Sequence, residues 1–288
     1  LIEPRSKSII WITGAGGLIG NYLVQTAPLF GISFQPIGLT RASLYLLDFA
    51  AVRAAFAAQR PAAIIHCAAM SKSPDCQANP TLARKLNVEV TALLAELAAE
   101  IPFFFFSTDM VFDGRKGNYV EADPVSPLSV YSETKVAAEQ IVLANSRHTV
   151  IRTSLNGGTS PTGDRGFNEQ IRRAWESGQT PNFFSDEFRN PIPAVVTARA
   201  TWELLQKKQT GLFHVAGAER LSRAEIGALM AARWPQLNPR YNVGSLKDYR
   251  GATRSPDTTL NCAKAQAQLS FPLPGLSQWL RENPQEVF

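Results

Sequence analysis

Apolar runs and stretches of helical periodicity alternate along the first half of the chain. Ser8-Ile9-Ile10-Trp11-Ile12-Thr13 reads as a buried strand, followed by a glycine-rich turn and a helix reaching about Pro28. A second strand is predicted over residues 34–39, where Pro36 demands a bulge or an unpaired N–H position. A helix is expected over residues 49–59, then a buried strand over 62–69 that ends in small side chains. Leu82, Leu86, Val90, Leu93, Leu94 and Leu97 form one apolar stripe, predicting a long helix from Pro80 to about Glu100. The near-continuous apolar run Ile101 to Phe106 suits a central parallel strand covered on both faces. A helix carrying Tyr131 and a strand over residues 148–153 complete this half. Strands alternating with helices make the fold class α/β, built on a parallel sheet.

The second half has shorter motifs. Residues 156–163 are a flexible loop by composition, suited to be either a lid or an ordinary surface loop. Helices are expected over 166–177 and 194–208, and the strand over 211–215 is expected to return to the first sheet. Ser222 caps a helix over 223–233, with Glu225 at the third position as in a capping box.

Composition narrows the class of partner. Of 288 residues, 45% are hydrophobic and 18% charged, which fits a globular chain with a substantial core. The longest apolar stretch, Ile101 to Phe106, is far too short to span a bilayer. No basic region followed by a long apolar core marks a secretory signal. Cys67, Cys76 and Cys262 form neither a metal-ligand spacing nor a disulfide framework, so a cytoplasmic location and no metal site are expected. The net charge of +5 comes without a dense Lys/Arg run, so no nucleic-acid partner is expected. A mild positive bias suits an anionic small molecule such as a nucleotide-linked substrate.

Candidate chemistry falls at the predicted strand ends. Gly14, Gly17 and Gly20 stand at G-x-x-G-x-x-G spacing between strand and helix, with Leu18 and Ile19 at the helix start. Glycines let a backbone approach a dinucleotide pyrophosphate, and helix-terminal N–H groups receive it. Arg41 follows the second strand where an NAD enzyme would carry an acidic residue. A guanidinium suits a 2′-phosphate, so NADP (as NADPH) is expected, with NAD the alternative. Asp48 can cap the next helix, meet the adenine, or both. Ala68 and Ala69 leave room for a cofactor, whereas His66 reads as a core or loop histidine. Ser107, Thr108 and Asp109 lie beyond the carboxyl end of the central strand, where ligands bind in such sheets. Tyr131 and Lys135, one helical turn apart, share a face. An ammonium group beside a phenol lowers its pKa from ~10, so the pair is expected to act as a tuned proton donor.

Three motifs occur in order: Gly14-x-x-Gly17-x-x-Gly20, Ser107-Thr108-Asp109-x-Val111-Phe112-Asp113-Gly114 and Tyr131-x-x-x-Lys135. Together they resemble the extended short-chain dehydrogenase/reductases, and within these the dTDP-4-dehydrorhamnose reductases, where S-T-D-Y-V-F-D-G is a typical run. The likeness continues through Asn87, Glu121-Ala122-Asp123-Pro124-x-x-Pro127, Gly211 to Gly217, Arg220-Leu221-Ser222-Arg223 and Arg254-Ser255-Pro256-Asp257. It implies a Rossmann-type doubly wound parallel sheet with a smaller, interleaved α+β substrate domain. On this reading residues 1–155, joined by 191–217, bind NADP, and residues 156–190 and 218–288 bind substrate.

The resemblance also implies a catalytic trio. Tyr131 would protonate the substrate carbonyl as hydride arrives, Lys135 would lower the tyrosine pKa and bind the nicotinamide ribose, and Thr108 would orient the reacting oxygen. Ser107 would border the cofactor, and Asp109, Val111 and Phe112 the substrate. Arg189 and Arg254 rank first among arginines for a substrate diphosphate, ahead of Arg152, Arg172 and Arg173. The expected activity is NADPH-dependent reduction of a nucleotide-linked 4-keto-6-deoxysugar, with dTDP-4-dehydrorhamnose as substrate. Alternatives are an NAD-retaining sugar-nucleotide epimerase or dehydratase, or a catalytically silent NADP-binding regulatory subunit. Dehydratases of this type show T-D-E at the strand end, and Met110 follows Asp109 here. Glu187, Arg189 and Ile192 also depart from the reductases' D-Q-x-G-x-P-T run. Some enzymes of this kind dimerise, and a homodimer is one expected state.

Overall fold

Four consecutive phenylalanines set the middle of the molecule. Phe103, Phe104, Phe105 and Phe106 are all buried, alternately toward opposite faces of a sheet, as a strand covered on both sides requires. Each such ring contributes about 2–3 kcal/mol by leaving water. The computed structural model describes residues 7–251 and 253–286. The expected domain limits also take in residues 1–6 and 287–288, which with Ala252 lie outside the described residues.

The chain begins β1 (Ser8–Thr13), α1 (Leu18–Phe30), β2 (Phe34–Leu39), α2 (Phe49–Gln59), β3 (Ala63–His66), α3 (Ser73–Ala78) and α4 (Pro80–Arg84). A π-helical turn (Lys85–Glu89) leads into α5 (Val90–Leu97) and β4 (Phe103–Thr108). A 3-10 turn (Asp109–Val111) precedes α6 (Val130–Leu143) and β5 (Thr149–Thr153). Then come β6 (Asn156–Gly157), α7 (Phe167–Glu176), β7 (Asn182–Phe184), β8 (Phe188–Arg189), β9 (Ile192–Pro193), α8 (Ala194–Gln206) and β10 (Gly211–Val215). The last elements are β11 (Leu221–Ser222), α9 (Arg223–Arg233), β12 (Asn242–Gly244), α10 (Ala263–Gln266) and α11 (Leu276–Glu282).

Six parallel strands pair in the order β10-β5-β4-β3-β1-β2 among the described residues. β2 and β3 flank β1 on opposite sides, so the winding reverses between β1 and β3. A crevice opens at the carboxyl ends of strands at such a switch point. On one face Ile10, Ile12, Ile65, Phe104, Phe106 and Phe213 pack against Leu23, Ala198, Trp202 and Leu205 of α1 and α8. On the other, Trp11, Ile64, Phe103, Phe105 and Val150 meet Val52, Leu93, Leu94, Ala138 and Val142 of α2, α5 and α6. A separate apolar cluster joins Phe167, Ile171 and Trp175 of α7 to Phe183, Ile226, Met230 and Trp279. The chain leaves the sheet after β5, returns with α8 and β10, and leaves again through β11 and α9.

Several expected limits shift for physical reasons. Pro36 sits on β2, the edge strand, where its missing N–H faces no second ladder. The helix expected to end near Pro28 runs on to Phe30. β3 stops at His66, and Cys67, Ala68 and Ala69 leave the sheet. The single helix expected over 80–100 is interrupted by the π-helical turn at 85–89, which inserts an extra residue per turn and swings Asn87 inward. The expected flexible loop at 156–163 starts as a strand paired to β9. It is then pinned by Glu169, whose carboxylate accepts from Ser160 N at 2.7 Å, Ser160 Oγ at 2.7 Å, Arg165 N at 2.9 Å and Gly166 N at 2.8 Å.

Candidate active site

At the switch point the first turn is made of backbone alone. Gly14 has φ +70°, and a Cβ there would lie 2.6 Å from Ala68 N. A Cβ on Gly20 would lie 2.4 Å from Gly14 O. The turn therefore closes between β1, α1 and the segment after β3 only with glycine at both places. Gly17 precedes α1 without a side-chain cap, and no acidic residue occupies the first turn. The N–H groups around Leu18 and Ile19 thus lack intrahelical partners. Leu18 is buried and Ile19 packs on the core, fixing the start of the helix. Arg41 is exposed just beyond β2, and Ala68 and Ala69 sit between β3 and α3 with Ala69 exposed. Asp48 caps α2, accepting from Ala51 N at 3.0 Å, which leaves its second oxygen for other partners. Ser107 Oγ is buried without a hydrogen-bond partner among the described residues. An orphan of that kind costs about 1–3 kcal/mol. A bare helix start, a glycine cradle and an orphan hydroxyl at the carboxyl ends of β1 and β4 fit a bound dinucleotide.

Beside this turn, α6 presents Tyr131 and Lys135. Ser129 and Ser132 form a reciprocal capping box that fixes the first turn, Ser129 N donating to Ser132 Oγ at 3.1 Å. Thr134 Oγ1 donates to Tyr131 O at 2.7 Å and accepts from Asn87 Nδ2 at 2.9 Å. Asn87 also grips the segment after β3, accepting from Met70 N at 2.8 Å and donating to Met70 O at 3.1 Å. Lys135 is 3% exposed, its Nζ 3.9 Å from the centroid of the Phe105 ring. Burial pushes its pKa down to about 7, against the opposing pull of Glu139 and Cys67. Burial likewise raises the Tyr131 phenol well above the ordinary tyrosine value. The hydrogen bond with Thr108 works the other way, and Asp109 and Cys76 add to the rise. Burial, rather than the ammonium of Lys135, is the leading influence on the phenol here.

Asp109 anchors the end of β4. It accepts from Thr108 Oγ1 at 3.2 Å, Ser154 Oγ at 2.7 Å and Thr258 Oγ1 at 2.9 Å, with Arg189 Nε at 3.7 Å. Both oxygens are thus committed inside the protein, and Asp109 orients Thr108 rather than offering a free acceptor to substrate. Val111 and Phe112, expected beside the substrate, are fully buried with Tyr119, Ala216 and Leu260. Their side chains form a core that leaves no surface for a ligand. Arg189 is 6% exposed, and its guanidinium donates to Phe188 O at 2.6 Å, Ser255 O at 3.1 Å and Glu187 Oε1 at 3.0 Å. Buried and with three of its five N–H donors spent on these oxygens, this guanidinium ties the segment together rather than facing a diphosphate. Arg254 lies on the exposed side of the same carboxylate, with bonds of 2.8 Å and 3.0 Å to Glu187.

Residues 8–287 match the family described as RmlD substrate binding domain. The chain belongs to that family. A "Probable low-salt glycan biosynthesis reductase Agl14" of Haloferax volcanii is 30% identical over 240 residues, covering 75% of this chain and 77% of that protein. The methionine adenosyltransferase 2 subunit beta of Xenopus laevis is 30% identical over 279 residues, 91% of this chain and 82% of that protein. Among solved structures, a hypothetical dTDP-4-dehydrorhamnose reductase from Sulfolobus tokodaii superposes with TM-score 0.80 at 30% identity, covering 93% of this chain and 97% of that one. The dTDP-4-dehydrorhamnose reductase of Bacillus anthracis str. Ames, in complex with NADP, shares the fold with TM-score 0.86 at 20% identity over 96% and 98% of the two chains.

Two residues of this RmlD substrate binding domain protein escaped the sequence reading as site residues. Asn87 was visible only as part of the likeness; it lies in the π-helical turn and is linked to the Tyr131 carbonyl through Thr134. Arg223 was visible as part of the likeness and as the residue after a helix cap, with no site role read for it. It stands at the start of α9, its N donating to Glu187 O at 2.8 Å. Burial lowers its pKa to about 10, with Glu187, Arg189, Arg254 and Asp109 all acting on it. Arg189 and Arg254 pair with Glu187, and the Arg223 guanidinium lies within electrostatic reach of Glu187 and Asp109.

Proposed function

We propose that this chain is an NADPH-dependent reductase of a nucleotide-linked 4-keto-6-deoxysugar, with dTDP-4-dehydrorhamnose as substrate and dTDP-rhamnose as product. The observation that supports the reading is the hydrogen bond of Tyr131 with Thr108 at the carboxyl end of β4, with Lys135 one turn further along α6 and its ammonium over Phe105 of the same strand. When bound, NADPH supplies the hydride. Gly14, Gly17 and Gly20, with the N–H groups of Leu18 and Ile19, would hold its pyrophosphate. Arg41 would hold the 2′-phosphate, Asp48 would approach the adenine, and Ala68, Ala69 and Ser107 would border the rest.

Tyr131 is the proton donor. An ordinary phenol is protonated at neutral pH, and the charged Lys135 would draw its acidity toward the working pH as it donates to the carbonyl oxygen. Thr108, held by Asp109, orients that oxygen. Lys135, in its charged form, stabilises the phenolate that proton transfer leaves behind, and would also meet the nicotinamide ribose. Arg254 and Arg223 provide the positive charge for a substrate diphosphate. Residues 7–155 with 191–217 form the cofactor domain, and residues 156–190 and 218–286 the substrate domain.

A catalytically silent NADP-binding regulatory subunit is the second reading, favoured by the likeness to the methionine adenosyltransferase subunit. One assay separates them: loss of NADPH absorbance with purified protein and dTDP-4-dehydro-6-deoxy-L-mannose, with NADH in parallel. The reductase reading expects rapid oxidation, preference for NADPH, and loss of turnover by at least about a hundredfold in Tyr131→Phe. Tight NADPH binding without oxidation would favour the regulatory reading and overturn the reductase.

A further inference from the structure

A buried polar chain joins the dinucleotide turn to the tyrosine helix. Ala68 N donates to Thr13 Oγ1 at 3.2 Å, and Thr13 Oγ1 lies 2.6 Å from His66 Nδ1. His66 Nε2 lies 3.1 Å from Thr91 Oγ1, which donates to Asn87 O at 2.8 Å. The Asn87 side chain then continues through Thr134 to Tyr131 O. Thr13, His66, Thr91, Asn87 and Thr134 are all buried.

Proton counting gives this chain one direction. Thr91 has a single hydroxyl proton, already committed to Asn87 O, so toward His66 it can only accept. The imidazole proton therefore sits on Nε2, and Nδ1 accepts from the Thr13 hydroxyl. Thr13 in turn accepts from Ala68 N. Every donor meets an acceptor only with a neutral His66. A second ring proton would turn Nδ1 against the Thr13 hydroxyl and place a cation near Lys135, and burial already lowers the imidazole pKa to about 3.

We propose that His66 is a positioning residue, a fixed neutral Nε2–H imidazole that locks the glycine turn and the Asn87 π-helical turn together. It thereby sets the distance between the cofactor site and Tyr131. This rests on the reductase reading for its catalytic consequence, but not for the imidazole state. His66 makes no contact with the proposed substrate groups and acts through Thr91 and Asn87.

The test has two arms. Nitrogen-15 NMR of the histidine rings in the whole protein should show His66 as the neutral Nε2–H tautomer, with no titration between about pH 5 and pH 8. In the kinetic arm, His66→Phe keeps the ring packing on Phe103 and Phe105 while removing the acceptor of the Thr13 hydroxyl proton and the donor to Thr91 Oγ1. Together with Thr91→Val and the double variant, it is assayed for kcat, sugar KM and NADPH affinity. Each single variant should lower kcat about tenfold with sugar KM within about twofold, and the double variant should be no slower than the slower single. An Nδ1–H tautomer, titration near neutral pH, wild-type kcat in His66→Phe, or multiplying losses would each overturn the proposal. If the wild-type protein oxidises no NADPH, the reductase reading fails. The NMR arm and a severalfold loss of NADPH affinity in His66→Phe still decide the role of His66.

Discussion

Lys135 is held at the edge of ionisation by its own surroundings. Its folded-state pKa of about 7 lies below the unfolded value of ~10.4. Between these values the unfolded chain binds more protons than the folded one, so this group makes stability rise with pH from about 7 to about 10 and adds no slope below 7. Lys135→Met fills the same slot without a charge to desolvate. The variant should lose turnover, yet be more stable than wild type at pH 7 by on the order of a few kcal/mol. Its urea midpoint should also vary less between pH 7 and about pH 9.5. A midpoint below wild type at pH 7 would mean that the ammonium is stabilised by the Phe105 ring more than it is penalised by burial.

At the scale of elements, the glycine turn and the π-helical turn do different jobs. The turn brings β1, α1 and the segment after β3 closer than side chains permit. Gly20→Ala must push α1 away from Gly14 O, at about 1–3 kcal/mol, lowering Tm by several degrees and weakening NADPH binding. Gly16→Ala meets only Thr40 Cγ2, at 4.0 Å, so its Tm should match wild type. Equal Tm values for the two variants would contradict the close packing at Gly20. This turn was legible in the sequence because its glycines are spaced by the same steric need. So was β4, whose four phenylalanines admit no exposed face. The π-helical turn was not legible, because Leu86, Val90, Leu93 and Leu94 keep a helical rhythm through the insertion. The fate of Arg189 was equally hidden: Glu187 stands two residues away, but only folding shows that one carboxylate serves both Arg189 and Arg254. Arg223 was masked by its position, since a cation at a helix N-terminus opposes the helix dipole and suggests no role until its neighbours are seen.

At the scale of the whole molecule, neutral imidazoles are built into the sheet. The chain has three histidines, and burial is the leading cause that lowers all of them: His66 on β3 to about 3, His214 on β10 to about 3, and His148 just before β5. His214 adds an Arg152 neighbour, its Nε2 3.4 Å from the guanidinium that pairs with Glu139. Each folded-state pKa lies below the unfolded value of ~6.5, so on acidification the unfolded chain takes up protons that the folded chain refuses. Stability is therefore lost as pH falls from about 6.5 toward about 3 for His66 and His214, at up to ~1.4 kcal/mol per pH unit for each, with His148 acting in the same direction. Because His66 and His214 sit on separate strands of one sheet and His148 immediately precedes another, the loss should appear as a single cooperative transition rather than local fraying. Urea unfolding between about pH 7 and pH 4.5 tests this, and replacing His214 by Gln should remove about one proton from the slope. A urea midpoint constant over that interval would show that the folded protein accepts these protons, and that imidazole burial does not govern its acid stability.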